Sequence, residues 1–285
     1  MARIKILADS TCDLSPELVQ RYEIGIIPLH IILQNKSYLD GVEITPPEIY
    51  EWADANGTTP KTSAPNLEWV IDFLRPYRDA GDTLICFGIS QQMSSSCQVM
   101  RLAAQEMGIA DRVYVVDSMN LSTGIGLQVI KAAELAAANW PAKDIVAEIE
   151  QARGRVRASF VVDTLTYLHR GGRCGAVTAL VGNVLRLKPR IEVVDGKMGV
   201  GKKYRGPQDK VVLSYVQDME QNLLHAETGH VFITHSGIDE KVIKSVTVYL
   251  KKLNRFKEIH VTRAGGVVSS HCGYGTLGVL YYMEK

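Results

Sequence analysis

The sequence predicts an α/β fold with two domains: a mainly parallel α/β sheet domain at residues 1–155, and an α/β domain with a mixed sheet at residues 156–285. Short apolar strands alternate with helical patterns along the whole chain, which is typical of a mainly parallel sheet. Polar loops follow three of these strands, at residues 9–11, 90–96 and 117–118. Open parallel sheets bind ligands at the carboxyl ends of their strands, so we expect the functional site at these loops.

The first half of the chain carries clear helix-start signals. Ser15 precedes Pro16 as an N-cap, and residues 45–48 match a capping box. Residues 57–65 have the composition of a loop. We predict strands at 4–8, 24–33, 83–87 and 112–116, and further helices over 69–77, from about 94, and over 124–139 and 142–153.

The second half begins with a shift in charge near residue 153, and we place the domain boundary near residue 155. Residues 153–210 hold thirteen Lys or Arg against four Asp or Glu, a net +9 in a chain whose total is +1. Asp195-Gly196 between two apolar runs indicates a hairpin. We predict strands at 160–162, 191–194, 198–200, 231–234 and 259–262, and helices at 164–170, 177–187, 211–224 and 242–253.

Composition argues against several classes of protein. The 285 residues are 46% apolar, which is enough for an extensive buried core, and the net charge of +1 favours neither nucleic acid nor a membrane surface as partner. Five cysteines without CxxC spacing fit a reducing compartment better than a disulfide framework or a zinc site. We see no signal peptide and no run of about 18 apolar residues, so we expect a soluble cytoplasmic protein without stable membrane insertion.

Residues 87–100 are the stretch around which we expect the site to be organised. An apolar strand ends there and a helical period begins, so Ser94, Ser95 and Ser96 stand at a strand-to-helix junction. A helix start offers unpaired N–H groups and a partial positive charge, which suit a carboxylate or a phosphate. Simple helix capping by one serine is the competing interpretation, and this stretch alone leaves both open.

Other motifs are incomplete or ambiguous. A GxGxxG pattern at residues 273–278 cannot begin the βαβ unit of a dinucleotide site, because only seven residues follow it. His271, which we place in this glycine-rich loop, is a candidate for either a site residue or a structural histidine. Residues 202–205, of sequence KKYR, are interpreted as a solvated hairpin edge that could also meet an anionic partner.

Ten motifs, in order along the whole chain, resemble those of the DegV family. They are DSTCDL (9–14), PL (28–29), YLDG (38–41), PKTSAP (60–65), ISQQMS (89–94), DS (117–118), YLHRGGR (167–173), KP (188–189), KYRG (203–206) and SHCGYGTLG (270–278). The resemblance implies a DegV-like two-domain fold and a bacterial protein that binds a long-chain fatty acid. Some family members present this acid to a separate kinase subunit, which makes an acyl phosphate from it and ATP.

The resemblance also implies where the ligand and its contacts lie. The tail would occupy an apolar tunnel in or beside the N-terminal domain, and the carboxylate would reach the cleft between the domains. Carried over by motif, Thr62 and Ser94 would hydrogen-bond the carboxylate, and His271 would approach it. Arg173 would lie near the cleft, while Arg205, with Lys203, would contact the kinase subunit. The family implies no metal and no cofactor beyond the bound acid.

Four residues depart from the family pattern. Ser95 and Ser96 replace a Gly and a Thr, so the carboxylate contact could move from Ser94 to Ser95. Tyr274 replaces a Pro, which leaves a freer loop with another hydroxyl. Arg190 replaces an apolar residue and raises the local positive charge.

Two other classes of function stay open at this point. A serine-dependent hydrolase would use Ser94 or Ser95 as nucleophile, His271 as base and Asp117 to orient it, although no elbow motif supports this. A nucleic-acid or regulatory module would use the basic middle segment, which has few interleaved aromatic residues. We expect a monomeric, non-catalytic lipid-binding protein that does not bind nucleic acid.

Overall fold

The computed structural model of the chain describes residues 3–178 and 187–285. Within these ranges the strands are β1 Ile4–Asp9, β2 Gly25–Ile27, β3 His30–Leu33, β4 Lys36–Leu39, β5 Lys61–Ser63, β6 Thr83–Gly88, β7 Val113–Asp117, β8 Val156–Val161, β9 Leu187–Val194, β10 Lys197–Arg205, β11 Ala226–His235, β12 Glu258–Arg263 and β13 Leu277–Met283. The helices are α1 Pro16–Arg21, α2 Pro46–Asn56, α3 Leu67–Ala80, α4 Ser96–Glu106, α5 Thr123–Ala137, α6 Ala142–Ala152, α7 Thr166–Gly171, α8 Gly175–Thr178, α9 Gln208–Asp218, α10 Glu220–Leu224, α11 Glu240–Lys252 and α12 Gly266–Cys272.

The strands form a parallel sheet, a mixed sheet and a small antiparallel sheet. The parallel sheet has the order β2-β1-β6-β7, and the mixed sheet has the order β10-β9-β8-β13-β11-β12 with only β11 and β12 parallel. Strands β4-β3-β5 form the antiparallel sheet. The predicted α/β fold, with a parallel sheet in the first half and a mixed sheet in the second, is confirmed.

Helix α5 lies between the two large sheets. Ile125 and Val129 belong to the core cluster of the parallel sheet, whereas Leu127 and Ile130 pack with Phe232 of the mixed sheet. A helix that buries apolar side chains on all sides cannot face solvent, and ten of the fifteen residues of α5 are buried. This shared helix joins the cores of the two sheets.

The predicted helix starts agree with the structure. The Ser15 hydroxyl accepts from the backbone N–H of Leu18 at the start of α1. At the start of α2 the Glu48 carboxylate accepts from the backbone N–H of Thr45, as the glutamate of a capping box does, and it also accepts from the Thr45 hydroxyl. None of the helices in residues 3–178 and 187–285 is long and apolar enough to cross a membrane.

Three predictions of local structure were wrong. The predicted strand 24–33 is two strands in different sheets, because the chain is interrupted at Pro28-Leu29. There the Ser10 hydroxyl accepts a hydrogen bond from the backbone N–H of Leu29. The predicted loop 57–65 contains β5, which pairs with β3 and carries Thr62. His271 lies in helix α12 rather than in a glycine-rich loop.

Two further differences concern the ends of elements. Helix α4 begins at Ser96, two residues after the predicted start, and β13 was not predicted at all. The predicted helix 177–187 lies largely outside the described residues, which stop at Thr178 and resume at Leu187.

Candidate functional site

A cavity of about 300 Å³ lies between the carboxyl-end loops of the parallel sheet and the mixed sheet. Ile89 and Met93 line it from the loop after β6, and Leu121 lines it from the loop after β7. Phe160 and Leu280 line it from the mixed sheet. Of the three loops singled out in the sequence, residues 90–96 reach the cavity, whereas residues 117–118 and 9–11 do not line it; the loop after β7 reaches it only further along, at Leu121 and Ser122.

Most of the cavity wall is apolar. Its apolar lining residues are Leu29, Ala64, Ile89, Met93, Leu121, Phe160, Leu168, Met198, Ala264, Val267, Val268 and Leu280. These residues come from both sides of residue 155, so the cavity lies at the contact between the two halves of the chain rather than within the first half.

Several hydroxyl groups in the wall are already engaged by the protein. The Thr234 hydroxyl lies 2.6 Å from that of Thr123 and 3.0 Å from that of Thr262. Ser122 donates to a buried carboxyl oxygen of Asp13, and Thr276 donates to the carbonyl of Cys272. These internal hydrogen bonds leave this part of the wall with little capacity to bind a polar ligand group.

The five ligand-binding candidates named from the sequence all line this one cavity. Thr62, Ser94, Ser95, Arg173 and His271 come from β5, the loop before α4, the segment after α7 and helix α12. Residues far apart in the chain therefore line the same cavity, and two of them, Thr62 and His271, are in direct contact.

The central contact of this region joins Thr62 and His271. The Thr62 hydroxyl lies 2.8 Å from Nε2 of His271. Burial, with a smaller contribution from Arg173, lowers the pKa of His271 to about 4, so its imidazole is neutral near pH 7. Among the described residues, Nδ1 of His271 has no hydrogen-bond partner. A neutral His271 can orient the Thr62 hydroxyl, but it cannot serve as a countercharge.

The close approach of helix α7 to helix α12 explains why position 171 of the YLHRGGR motif is a glycine. A Cβ atom at position 171 would lie 2.2 Å from Nδ1 of His271. Any other residue would therefore push α12 and its imidazole away from α7. Arg173 follows directly, with an exposed guanidinium that donates to the carbonyl of Gly171 at 2.8 Å.

The three serines before α4 have different roles. The Ser94 hydroxyl accepts from the backbone N–H of Ser96 at 3.3 Å, which leaves its own proton available to donate. Ser95 is the exposed N-cap residue and makes no side-chain cap bond. Ser96 is buried and donates to the Asp9 carboxylate at 2.8 Å. The helix start therefore offers Ser94 and Ser95 to the cavity, while Ser96 holds it in place.

The buried carboxyl groups behind the cavity were missed as site residues. Asp9 accepts from Ile89 N–H and Ser96, whereas Asp13 accepts from Gly265 N–H at 2.8 Å and Asp40 from Gly266 N–H at 2.7 Å. Asp13 and Asp40 thus hold the start of α12, the helix that carries His271. Their signal in the sequence was their position in the DSTCDL and YLDG motifs.

Substitution of Asp13 by Asn is expected to reduce the pH dependence of stability. Burial raises the pKa of Asp13 to about 8, with smaller contributions from Asp40 and Asp9. The folded protein keeps a proton that the unfolded chain has lost, so the free energy of unfolding falls as pH rises from about 4 to about 8. Removing this group should flatten the slope by at most about 1.4 kcal/mol per pH unit.

Urea unfolding of Asp13→Asn between pH 5 and pH 7.5 measures this slope. Asn can still accept from Gly265 N–H and can donate to the Ser122 hydroxyl, so the fold should be retained. Asp54→Asn, at an exposed position of α2, is the control and should keep the wild-type slope. A wild-type slope in Asp13→Asn would contradict the assignment.

The two predicted partner-binding residues lie away from the cavity lining. Lys203 and Arg205 are exposed on β10, the outer strand of the mixed sheet. Between them Tyr204 is buried and donates to Asp218, which also pairs with Lys202. Lys202 and Tyr204 therefore anchor the hairpin edge to Asp218, whereas Lys203 and Arg205 are presented to solvent.

The arrangement of a hydrolase triad is not formed among the described residues. The Asp117 carboxylate accepts from the backbone N–H groups of Met119 and Gln91, at 3.0 and 3.3 Å. His271 contacts Thr62 instead of Asp117. The neutral imidazole thus has no carboxylate to orient it as a general base for Ser94.

Fold and cavity together define an α/β protein with an apolar cavity between two sheets and a polar region of hydroxyl groups, a neutral histidine and an arginine. The sequence model of the DegV family of uncharacterised proteins matches residues 3–284. A DegV domain-containing protein from Deinococcus radiodurans is 33% identical over 280 residues, which cover 97% of each chain. The chain belongs to the DegV family.

Two solved structures of similar proteins carry descriptions of a ligand. A DegV family protein from Thermus thermophilus, described by its fatty acid binding, has a TM-score of 0.90 and 31% identity, with 99% of this chain and 100% of that chain covered. A protein from Eubacterium ventriosum, described as binding stearic acid, has a TM-score of 0.84 and 25% identity, with coverage of 99% and 98%.

Proposed function

We propose that the protein binds one long-chain fatty acid in this cavity and presents its carboxylate at Thr62 and Ser94. The observation that carries the proposal is a mostly apolar cavity whose wall includes the hydroxyl groups of Thr62 and Ser94, with His271 in contact with Thr62. The similar proteins from Thermus thermophilus and Eubacterium ventriosum are described as binding fatty acids, which supports this ligand class.

The tail supplies most of the affinity in this proposal. Each buried methylene contributes roughly 0.8 kcal/mol, so a sixteen-carbon chain gains on the order of 10 kcal/mol before ordering costs. Hydrogen bonds to the carboxylate add about 1–3 kcal/mol each and mainly set its orientation. The wall therefore retains the ligand, and the hydroxyl groups decide where its carboxylate lies.

The head-group contacts follow from the donors that the protein leaves unused. Ser94 donates its free proton to one carboxylate oxygen, and Thr62 donates to the other while it accepts from Nε2–H of His271. Ser95 is a further donor at the exposed side. Arg173 supplies the positive charge that neutral His271 lacks.

The two halves of the chain, residues 1–155 and 156–285, act as two domains in this proposal. The first contributes the hydroxyl donors at Thr62 and Ser94, and the second contributes His271 and Arg173. Because both halves line the cavity, their contact determines how far the carboxylate is exposed.

The finer proposal is that a separate kinase subunit phosphorylates the presented carboxylate. The protein would then be a monomeric, cytoplasmic, non-catalytic subunit that needs no cofactor of its own and does not bind nucleic acid. Ion pairs neutralise part of the basic middle segment, including Lys188 with Asp163 and Arg190 with Glu192. Exposed Lys203 and Arg205 remain as the contacts for the kinase.

Charge reversal at Arg205 is expected to slow phosphorylation without emptying the cavity. Arg205→Glu places a negative charge on the exposed edge strand, which weakens an electrostatic contact and lowers the rate of association by about 10-fold or more. Acyl-phosphate formation at limiting kinase measures the rate, and native mass spectrometry measures the bound acid. Lys251→Glu, in α11, is the matched control, and equal losses in both variants would contradict the assignment.

Native mass spectrometry of the purified protein tests the proposed ligand directly. After delipidation, addition of palmitate should produce one bound molecule per chain, whereas hexadecanol, which has the same tail without a carboxylate, should bind more weakly. Binding of both with equal affinity would contradict the head-group assignment. Absence of palmitate binding would contradict the proposed function.

A further inference from the structure

Two histidines and a glutamate converge on one face of the mixed sheet, outside the cavity. In the parallel pairing of β11 with β12, His230 lies opposite Glu258, and His260 lies two residues further along β12. Residues at this spacing share one face of a sheet. One ligand atom from each of the three lies within 4.8 Å of the other two. We propose that His230, Glu258 and His260 bind one divalent transition-metal ion such as zinc.

The interatomic distances are close to those that a zinc ion requires. His230 Nδ1 lies 2.9 Å from His260 Nε2, and His260 Nε2 lies 3.7 Å from Glu258 Oε2. Tetrahedral zinc with bonds of about 2.0–2.2 Å separates its ligand atoms by about 3.3 Å. The two nitrogens must therefore separate by about 0.4 Å, and the glutamate oxygen must approach His260 Nε2 by a similar amount and come to the same separation from His230 Nδ1.

Rotation of the two imidazole rings about their χ2 torsions would allow both to bind the same ion. Their planes lie 22° apart and their centroids 5.2 Å apart, so that the nitrogens face each other across a hydrogen bond. The χ2 torsion of histidine is broad, so tilting both rings toward a common ion is inexpensive. The ion then replaces the proton between His230 Nδ1 and His260 Nε2, and that proton moves to Nδ1 of His260 by exchange with solvent, so both ligands remain neutral imidazoles.

The groups around the three ligands also suit a metal ion. Glu134 of α5 lies 3.1 Å from His230 Nε2, the nitrogen that does not face the cluster. A carboxylate in this position fixes the histidine tautomer so that Nδ1 is free to bind the metal.

Charge balance favours a dication at this position. Arg21 of α1 donates to both oxygens of Glu258, at 2.7 and 2.9 Å. A carboxylate has about four lone-pair sites, so Glu258 Oε2 can accept from Arg21 and also bind a metal. The two carboxylates of Glu134 and Glu258 outweigh the guanidinium of Arg21 by one negative charge.

Partial burial leaves a route for entry and an open coordination position. The side chains of His230 and His260 are 15% and 12% exposed, whereas Glu258 is 34% exposed. An ion would therefore enter past the glutamate. Three protein ligands leave a fourth tetrahedral position for water or another small ligand. Because both histidines lie on neighbouring strands, the ion would also tie the outer strand β12 to β11.

Metal titration of the full-length chain after EDTA treatment tests the site. Isothermal titration with ZnCl2 should give one equivalent bound, and Co2+ should develop the visible absorption of low-coordinate cobalt. The double variant His230→Ala/His260→Ala should lose both signals. Glu134→Gln should weaken zinc binding by about 10-fold, because it removes the outer carboxylate. His225→Ala, at an exposed histidine after α10, is the matched control and should bind as the wild type does.

Thermal unfolding supplies a second readout. Zinc at about 100 times its Kd should raise the Tm of the wild type by about 5 °C and leave the double variant unchanged. Should the double variant fail to fold, Glu258→Gln serves in its place, since it keeps the size of the side chain and removes the anionic ligand. Wild-type zinc affinity in the folded ligand variants, or no stoichiometric uptake by the wild type, would show a histidine hydrogen bond without a metal site and overturn the proposal.

Discussion

The substitution Val268→Trp is expected to lower the affinity for a sixteen-carbon fatty acid by about 100-fold or more. Val268 is partly buried, lies in α12 and lines the cavity. Tryptophan adds about seven heavy atoms and would occupy space that the tail needs. Exclusion of roughly four methylenes at about 0.8 kcal/mol each removes about 3 kcal/mol of binding free energy, which exceeds a factor of 100.

Displacement of a fluorescent fatty acid measures this change in affinity. Val248→Trp makes the same substitution at a position of α11 that is 44% exposed and should leave affinity unchanged. Val268→Ala, which enlarges the cavity, should change affinity only a few-fold. A wild-type Kd for folded Val268→Trp would show that the tail lies elsewhere.

The substitution Ser94→Ala is expected to separate retention of the acid from its presentation. Loss of one hydrogen bond to the carboxylate costs about 1–2 kcal/mol, so the affinity should fall by about 5–30-fold while the tail stays buried. When an enzyme holds two reacting groups in place, a displacement of one of them by about 1 Å lowers the reaction rate by about 100-fold, and here the displaced group would be the carboxylate. Acyl-phosphate formation by the kinase subunit should therefore fall much further than binding.

Two measurements on the same samples decide this prediction. Native mass spectrometry gives the fraction of protein with bound palmitate, and the 13C resonance of carboxyl-labelled palmitate reports the surroundings of the head group. Ser95→Ala is the neighbouring control at the exposed N-cap. If Ser95→Ala alone shifts the resonance, Ser95 rather than Ser94 contacts the carboxylate; equal loss of binding and phosphorylation in Ser94→Ala would contradict the division of roles.

Sequence patterns predicted the elements of this fold more reliably than their pairing. The capping box at Thr45 and the N-cap at Ser15 are local, so they could be recognised without knowledge of the partners of each helix. The run at 24–33 was misassigned because a continuous apolar stretch does not show that β2 joins one sheet and β3 another. Strand β5 was missed because its residues are polar and its pairing with β3 is a long-range contact.

The candidate site shows the same difference between local motifs, which could be recognised in the sequence, and long-range contacts, which could not. Motif resemblance selected Thr62, Ser94, Ser95, Arg173 and His271, and all five line one cavity. The buried carboxyl groups of Asp13 and Asp40, which hold α12, were not predicted as site residues. Their positions in the DSTCDL and YLDG motifs do not show that they accept from the N–H groups of Gly265 and Gly266.

By itself, the sequence determined the alternation of strands and helices, the helix starts and the motifs of the DegV family, because these depend on neighbouring residues. Only the tertiary structure decided which distant groups meet. Thr62 and His271 are 209 residues apart and lie within 2.8 Å, and His230 and His260 are 30 residues apart without ligand spacing. Burial of apolar surface between the sheets creates these contacts, and that burial is a property of the whole folded chain.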